Sequence, residues 1–106
     1  MELEQIPEVF QSRLRLMIVS ALIEGRKSFA ELKAITQSTD GNLSVQISRL
    51  ESWGYVTVEK TFVGKRPLTA CTLTAEGLAG FREYVELLNR IVAGTLESDA
   101  GAKSGQ

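Results

Sequence analysis

The stretch Asp40–Leu73 reads DGNLSVQISRLESWGYVTVEKTFVGKRPLTACTL, and its two halves have different periods. In the first half Leu43, Ile47 and Leu50 recur at i, i+4 and i+7, the mark of a helix with one buried stripe. Gly54 follows Trp53 and stops this helix, because glycine takes the left-handed conformation that ends a helix. In the second half, Tyr55–Val58 and Thr69–Leu73 are β-type runs rich in Val and Thr. Between them Gly64-Lys65-Arg66-Pro67 is a turn signal carrying two positive charges. The stretch therefore predicts a short helix over 40–53 followed directly by a hairpin over about 58–72 with a basic tip.

Toward the N-terminus, residues 1–7 form an arm, and the first helix is expected from near Pro7 to about Glu24. Phe10, Leu14, Met17, Ile18, Ala21 and Leu22 make its apolar stripe, and Arg13 and Arg15 lie off it, either on a solvated face or as contacts to a backbone phosphate or a second copy of the chain. Ser28-Phe29-Ala30-Glu31 has the form of a capping box, so a second helix starts there, buries Phe29, Leu32 and Ile35 and ends near Gln37. Thr39 or Asp40 then caps the third helix, and two helices this closely joined make a helix-turn-helix. Beyond the hairpin, Thr74 caps a last helix over 75–93 with a wide apolar stripe, ended by Gly94; residues 97–106 read as a flexible tail. Residues 1–96 thus form one mainly α domain with a small β-hairpin. This is the layout of a winged helix-turn-helix with a long C-terminal dimerisation helix, and that layout reads DNA.

Composition sets the classes that fit. The chain has 106 residues, 43% hydrophobic and 24% charged, enough for one domain with one core. No apolar run approaches a membrane span, and the first residues lack a basic-then-apolar leader, so no membrane partner and a cytoplasmic location are expected. The sequence contains no histidine and one cysteine, Cys71, expected as a small buried hydrophobe. That inventory cannot build a zinc site or a histidine-based catalytic arrangement, and no phosphate-cradling glycine loop occurs. Neither an enzyme nor a cofactor is expected.

Net charge is −1, which is low for a nucleic-acid binder, but the acid is unevenly placed. Residues 40–73 carry a balance of +1 and residues 74–106 a balance of −2, so the excess acid lies away from the helix and hairpin. At about 100° per residue the third helix shows Gly41, Val45, Ser48, Arg49 and Ser52 opposite its buried stripe, flanked by Asn42 and Ser44, with Gln46 at the edge. Arg49 can address guanine or a phosphate, Asn42 and Gln46 adenine, Val45 a thymine methyl, and Ser44 and Ser48 phosphates. Arg26 or Lys27 can add phosphate contacts. Phe62 and Val63 near the hairpin tip either fold under it or face a partner. A winged-helix module that docks proteins instead of DNA is the alternative that the near-neutral charge and this pair leave open.

The motif D-G-N-L-S-x-x-I-S-R-L-E-x-x-G-Y-V, followed by K-T-F-x-G-K-R-P-x-T-x-x-x-L-T-x-E-G, resembles the small winged-helix transcriptional regulators of the MarR/ArsR-like superfamily. The resemblance covers residues 6–93. It implies a homodimer on a roughly palindromic stretch of double-stranded DNA, joined through the first and last helices at Phe10, Leu14, Phe81, Tyr84, Val85, Leu88, Ile91 and Val92. It puts Asn42, Ser44, Val45, Gln46, Ser48 and Arg49 on a recognition helix in the major groove, and Lys60, Gly64, Lys65 and Arg66 on a wing along the flanking backbone. It leaves room for a small-molecule effector sharing the dimer interface or the core. The chain departs from the family at Val45, Ser48 and Leu68, where basic residues are common.

Overall fold

Side-chain caps and glycines set most element boundaries. The computed structural model describes residues 5–102, with side chains through residue 94; residues 1–4 of the expected arm and 103–106 of the expected tail lie outside them. A 3-10 turn, Glu8–Phe10, precedes α1 (Arg13–Ile23). The first helix therefore starts at Arg13 and not near Pro7, because Ser12 adopts an extended backbone and its hydroxyl accepts from the Arg15 N–H. After α1 come β1 (Lys27–Ser28) and α2 (Phe29–Thr36), whose capping box at Ser28 and Glu31 forms in full. The Ser28 backbone N–H, aided by its hydroxyl, holds the Glu31 carboxyl below the usual carboxylate range. Ile35, expected on the buried stripe of α2, is exposed, since α2 is short and packs mainly through Leu32.

Thr39 caps α3 (Asp40–Ser52), and the helix ends as the sequence reading expects. Gly54 has φ +81°, the Tyr55 N–H donates to the Leu50 carbonyl, and the Gly54 N–H donates to the Glu51 carbonyl. The chain passes straight into β2 (Val56–Val63) and returns as β3 (Arg66–Leu73). Both strands are longer than their apolar runs, so Arg66 and Pro67 belong to β3 and the turn is only Gly64-Lys65. Gly64 has φ +67° and Lys65 does not share the left-handed region, the pattern of a two-residue hairpin turn with glycine first. Pro67 is tolerated because β1 reaches β3 only at Ala70 and Cys71, leaving the Pro67 edge unpaired. The third strand, β1, was not expected, since two residues between a glycine and a helix cap carry no strand periodicity.

The sheet order is β1-β3-β2, and it packs on α1, α2 and α3. The core centres on Ile18 and Val19 of α1, Leu32 of α2, Leu43 and Leu50 of α3, and Cys71 of β3. Each such aliphatic contributes about 1.5–3 kcal/mol by leaving water. Burial pushes the Cys71 thiol up from its ordinary value, with Glu51 adding to the shift, so it stays protonated and inert, as a small hydrophobe would.

The last helix, α4 (Ala75–Ala102), runs past Gly94 and through residues expected as tail. A helix of 28 residues spans about 42 Å and accounts for much of the 67 Å length of a molecule only 25 by 21 Å across. Its root is clamped. The Thr74 hydroxyl accepts from the Gly77 N–H and donates to the Gly54 carbonyl at 2.7 Å, and the Thr74 N–H donates to the Tyr55 carbonyl. Gly77 and Gly80 lie flush on Tyr55: a Cβ at Gly77 would strike the Tyr55 carbonyl, and one at Gly80 its phenol oxygen.

These glycines differ in what a methyl group meets. Gly77→Ala is expected to destabilise the protein by about 1–3 kcal/mol through overpacking. Gly94→Ala, with nothing within 4 Å of the new atom, is expected to stabilise it by about 1 kcal/mol through helix propensity. Urea denaturation midpoints of the two variants should therefore move in opposite directions.

Candidate nucleic-acid interface

The third helix and the hairpin form one surface with two flanks. On one flank Ser44, Ser48 and Glu51 of α3 meet Lys60 of β2 and Thr69 of β3 around a recess of about 270 Å³, floored by Phe29, Ile47 and Val58. Strand alternation extends this flank outward. Val58, Lys60 and Phe62 share a face of β2, and their register partners Cys71, Thr69 and Pro67 share the matching face of β3. Phe62, 73% exposed, thus sits with Pro67 at the tip of the face that lines the recess. On the other flank Asn42, Gln46 and Arg49 are helical neighbours at i, i+4 and i+7. Asn42, Ser44, Val45, Ser48 and Arg49 are exposed, and Gln46 is half-buried.

The structure brings Ser44, Ser48 and Lys60 together, while Gly64, Lys65 and Arg66 stand apart at the exposed hairpin tip. Glu51 puts a negative charge in the recess beside Lys60. Arg26 and Lys27 are engaged elsewhere. Arg26 lies 3.6 Å from Glu59 and Lys27 3.6 Å from Glu24, so neither is a free phosphate contact. Lys33 pairs with Asp40 at 2.7 Å, tying α2 to the first turn of α3.

Gln46 leads to the residue that pattern reading placed wrongly. Arg15, expected at the surface, is only 7% exposed. Its Nη1 donates to Gln46 Oε1 at 2.7 Å, its Nε to the Val9 carbonyl at 3.0 Å and its Nη2 to the Glu8 carbonyl at 2.9 Å. The guanidinium also lies 5.2 Å above the Trp53 ring. The late start of α1 creates this site, because the 3-10 turn leaves the Val9 carbonyl and the second lone pair of the Glu8 carbonyl, which also accepts from the Gln11 N–H, facing Arg15. Ser12 was the readable signal: a serine three residues before Arg15 is a helix cap and places the arginine in the first turn.

The expected dimer residues divide between two stripes of α4. Gly77, Gly80, Tyr84, Leu87 and Ile91 follow one line; Gly77, Gly80 and Leu87 are buried, and Tyr84 stacks on Phe10 with ring centroids 4.7 Å apart. Leu78, Phe81, Val85, Leu88 and Val92 follow a neighbouring line, where Val85 and Val92 are exposed. Phe10 is 4% exposed, packed on Tyr55, Phe81 and Tyr84, so it belongs to the core of its own chain and not to an open surface. Leu14 is half-buried against the same core. Leu87, which the sequence reading omitted in favour of its neighbour Leu88, is 4% exposed.

Comparison with known proteins fixes the family. The winged helix DNA-binding domain family matches residues 14–92, from α1 through most of the described side chains of α4. The chain belongs to that family. An uncharacterized protein of Methanocaldococcus jannaschii is 32% identical over 80 residues, 74% of this chain and 86% of its own. A transcriptional regulator homologue from Pyrococcus horikoshii OT3 matches at a TM-score of 0.81 and 26% identity, over 89% of this chain and 96% of that one. A protein assigned to the MarR family, from Enterococcus faecalis V583, has the same fold at a TM-score of 0.74 and 21% identity, over 92% and 88% of the two chains. As a winged helix domain the protein falls in a class of transcriptional regulators and not of enzymes. Among the described residues no group of acidic or cysteine side chains could hold a metal ion, and no helix is long and apolar enough to cross a membrane.

The two arginines that bracket Gln46 in space should behave oppositely on folding. Arg15→Ala strands the buried Val9 carbonyl and removes the guanidinium from the Trp53 ring, and is expected to cost about 2–3 kcal/mol. Arg49→Ala, on an exposed face, should change stability by no more than about 0.5 kcal/mol. Urea titration of both variants checks the contrast.

Proposed function

We propose that the protein is a sequence-specific transcriptional regulator that binds a roughly palindromic operator as a homodimer. The observation that carries this reading is the surface of α3 and the hairpin, on which Asn42, Val45, Ser48 and Arg49 are exposed, Lys60 meets Ser44 and Ser48, and Lys65 and Arg66 stand exposed at the outlying tip. In this arrangement α3 enters the major groove, where Arg49 and Asn42 reach base edges and Val45 reaches a thymine methyl. Lys60, Lys65 and Arg66 follow the flanking backbone, with Gly64 letting the tip turn tightly. The acid balance of residues 74–106 keeps negative charge away from the phosphates. Two protomers set half-sites about 10 base pairs apart, centre to centre.

The outer stripe of α4 supplies the dimer contact. Leu78, Phe81 and Val85 join Ile23 of α1 around an apolar hollow of about 420 Å³ edged by Arg82 and Glu86. Exposed Val85 and Val92 continue the stripe outward, Leu88 lies along it half-buried, and half-buried Ile91 flanks it on the covered line. Phe10, Tyr84 and Leu14 back this surface from within. An effector of small size, if one acts, binds where it can bias this interface or the core beneath it. A second reading rests on Phe62 and Val63, 73% and 63% exposed at the hairpin tip, which would suit a protein partner in place of DNA.

Fluorescence anisotropy with the chain's own upstream DNA, at two salt concentrations and with nonspecific competitor, tests the regulator reading. Arg49→Ala should lose about 1–3 kcal/mol on the specific site. Lys65→Ala/Arg66→Ala should weaken all DNA alike and lower the salt slope by about two. No binding up to about 100 μM would favour the protein-partner reading, and DNA binding that survives all three substitutions would show that these residues are not the contacts. For the dimer, Val85→Glu or Val92→Glu should leave the helical circular dichroism intact and convert a dimer to a monomer in sedimentation equilibrium.

A further inference from the structure

We infer that Gln46 addresses its base pair as a hydrogen-bond donor only, and that Arg15 is the positioning residue that makes it so. The inference rests on the regulator reading and names what that reading selects at one position. A glutamine amide is two-sided. Facing adenine, it accepts from N6 through its oxygen and donates to N7 through its nitrogen. In this chain the oxygen is turned toward α1 and one of its two lone pairs is taken, because Arg15 Nη1 donates to Gln46 Oε1 at 2.7 Å. A guanidinium carries donors and no acceptor, so the amide cannot be turned over to present its nitrogen to Arg15.

Nor can Arg15 follow Gln46 outward. Its Nε and Nη2 are held by the Val9 and Glu8 carbonyls, its plane rests on Trp53, and it is 7% exposed. The Gln46 oxygen therefore points toward α1. The amide nitrogen is the group left for the outer edge of α3, in line with Asn42 and Arg49. An amide nitrogen finds two acceptors at guanine, O6 and N7, one at thymine O4 and one at adenine N7, the last beside a competing amino group, and none on cytosine. The position that Gln46 meets in each half-site should thus favour guanine over adenine and exclude cytosine on the contacted strand.

Selection of binding sites from a randomised duplex pool tests this with four proteins: wild type, Gln46→Glu, Gln46→Met and Arg15→Met. Wild type should select guanine above adenine and exclude cytosine at one position per half-site. Gln46→Glu keeps the contact to Arg15 but presents acceptors only, and should shift that position alone toward cytosine or adenine, by roughly tenfold in relative affinity. Gln46→Met should lose preference there and nowhere else. Arg15→Met frees the oxygen for the two-bond contact and should move the preference from guanine to adenine; if it does not fold, the two Gln46 variants still decide. A purely structural role for the pair would alter melting without moving one base preference. Identical selected sites for wild type and both Gln46 variants, or adenine preferred over guanine by wild type at the shifted position, overturns the inference while leaving the regulator reading standing. No enrichment of any sequence by wild type overturns both.

Discussion

A buried guanidinium that pairs with no carboxylate among the described residues holds this fold in register. Arg15 sits where the turn at Glu8–Phe10, α1, the middle of α3 and the Trp53 cap of α3 converge, and it touches all four. A carboxylate partner would have neutralised the charge but fixed only one neighbour. Two backbone carbonyls, an amide oxygen and an aromatic face divide the solvation of a single charge among separate segments, each of which must be in place for it to be satisfied. Arginine suits the task because its planar donors point in several directions at once; a lysine ammonium could not reach three acceptors and lie flat on an indole. The orientation of α3 relative to α1 follows from this contact together with the Leu43, Ile47 and Leu50 stripe beneath it.

The regions that can be read from sequence are those in which local chemistry and packing agree. The capping box at Ser28, the Thr39 and Thr74 caps, the glycine stop at Gly54 and the paired β-runs all follow from rules spanning a few residues, and the structure keeps them. What was not legible depends on partners distant in sequence. Arg15 looked like a surface charge because its acceptors come from a broken turn and from a residue 31 positions away. The wide apolar stripe of α4 was read as one face. Only Tyr55 and Phe10, from other elements, divide it into a covered line and an open one. Gly94 carries the usual stop signal, yet helical bonding continues past it, since a glycine in an exposed helix costs only about 1 kcal/mol.

The charge pattern of the interface bears on how such a surface discriminates. Its cations are few, Arg26 and Lys33 are occupied by Glu59 and Asp40, and Glu51 sits within the recess. On the regulator reading, little attraction is available that does not depend on sequence, so wrong sites are held weakly and base contacts carry more of the distinction between sites. The uncharged Ser44, Ser48 and Val45 on the exposed part of α3 act in the same sense. They fit a groove closely and add nothing to the field.

The clamp at Thr74 has a mechanical meaning. The end of α3, the start of the hairpin and the root of α4 meet within Gly54, Tyr55 and Thr74, and Gly77 and Gly80 leave no gap in which α4 could slide over Tyr55. The hairpin and the long helix are thus two arms of one lever, with its fulcrum at Thr74. The helix arm is about 42 Å long and the hairpin arm about 26 Å. A rotation of about 5° at the fulcrum carries the far end of the helix about 4 Å and the hairpin tip about 2 Å. A movement of that size at Lys65 and Arg66 is enough to break a hydrogen bond to a fixed oxygen. In the proposed dimer, whatever sets the angle between the two helices therefore also sets the distance between the two tips.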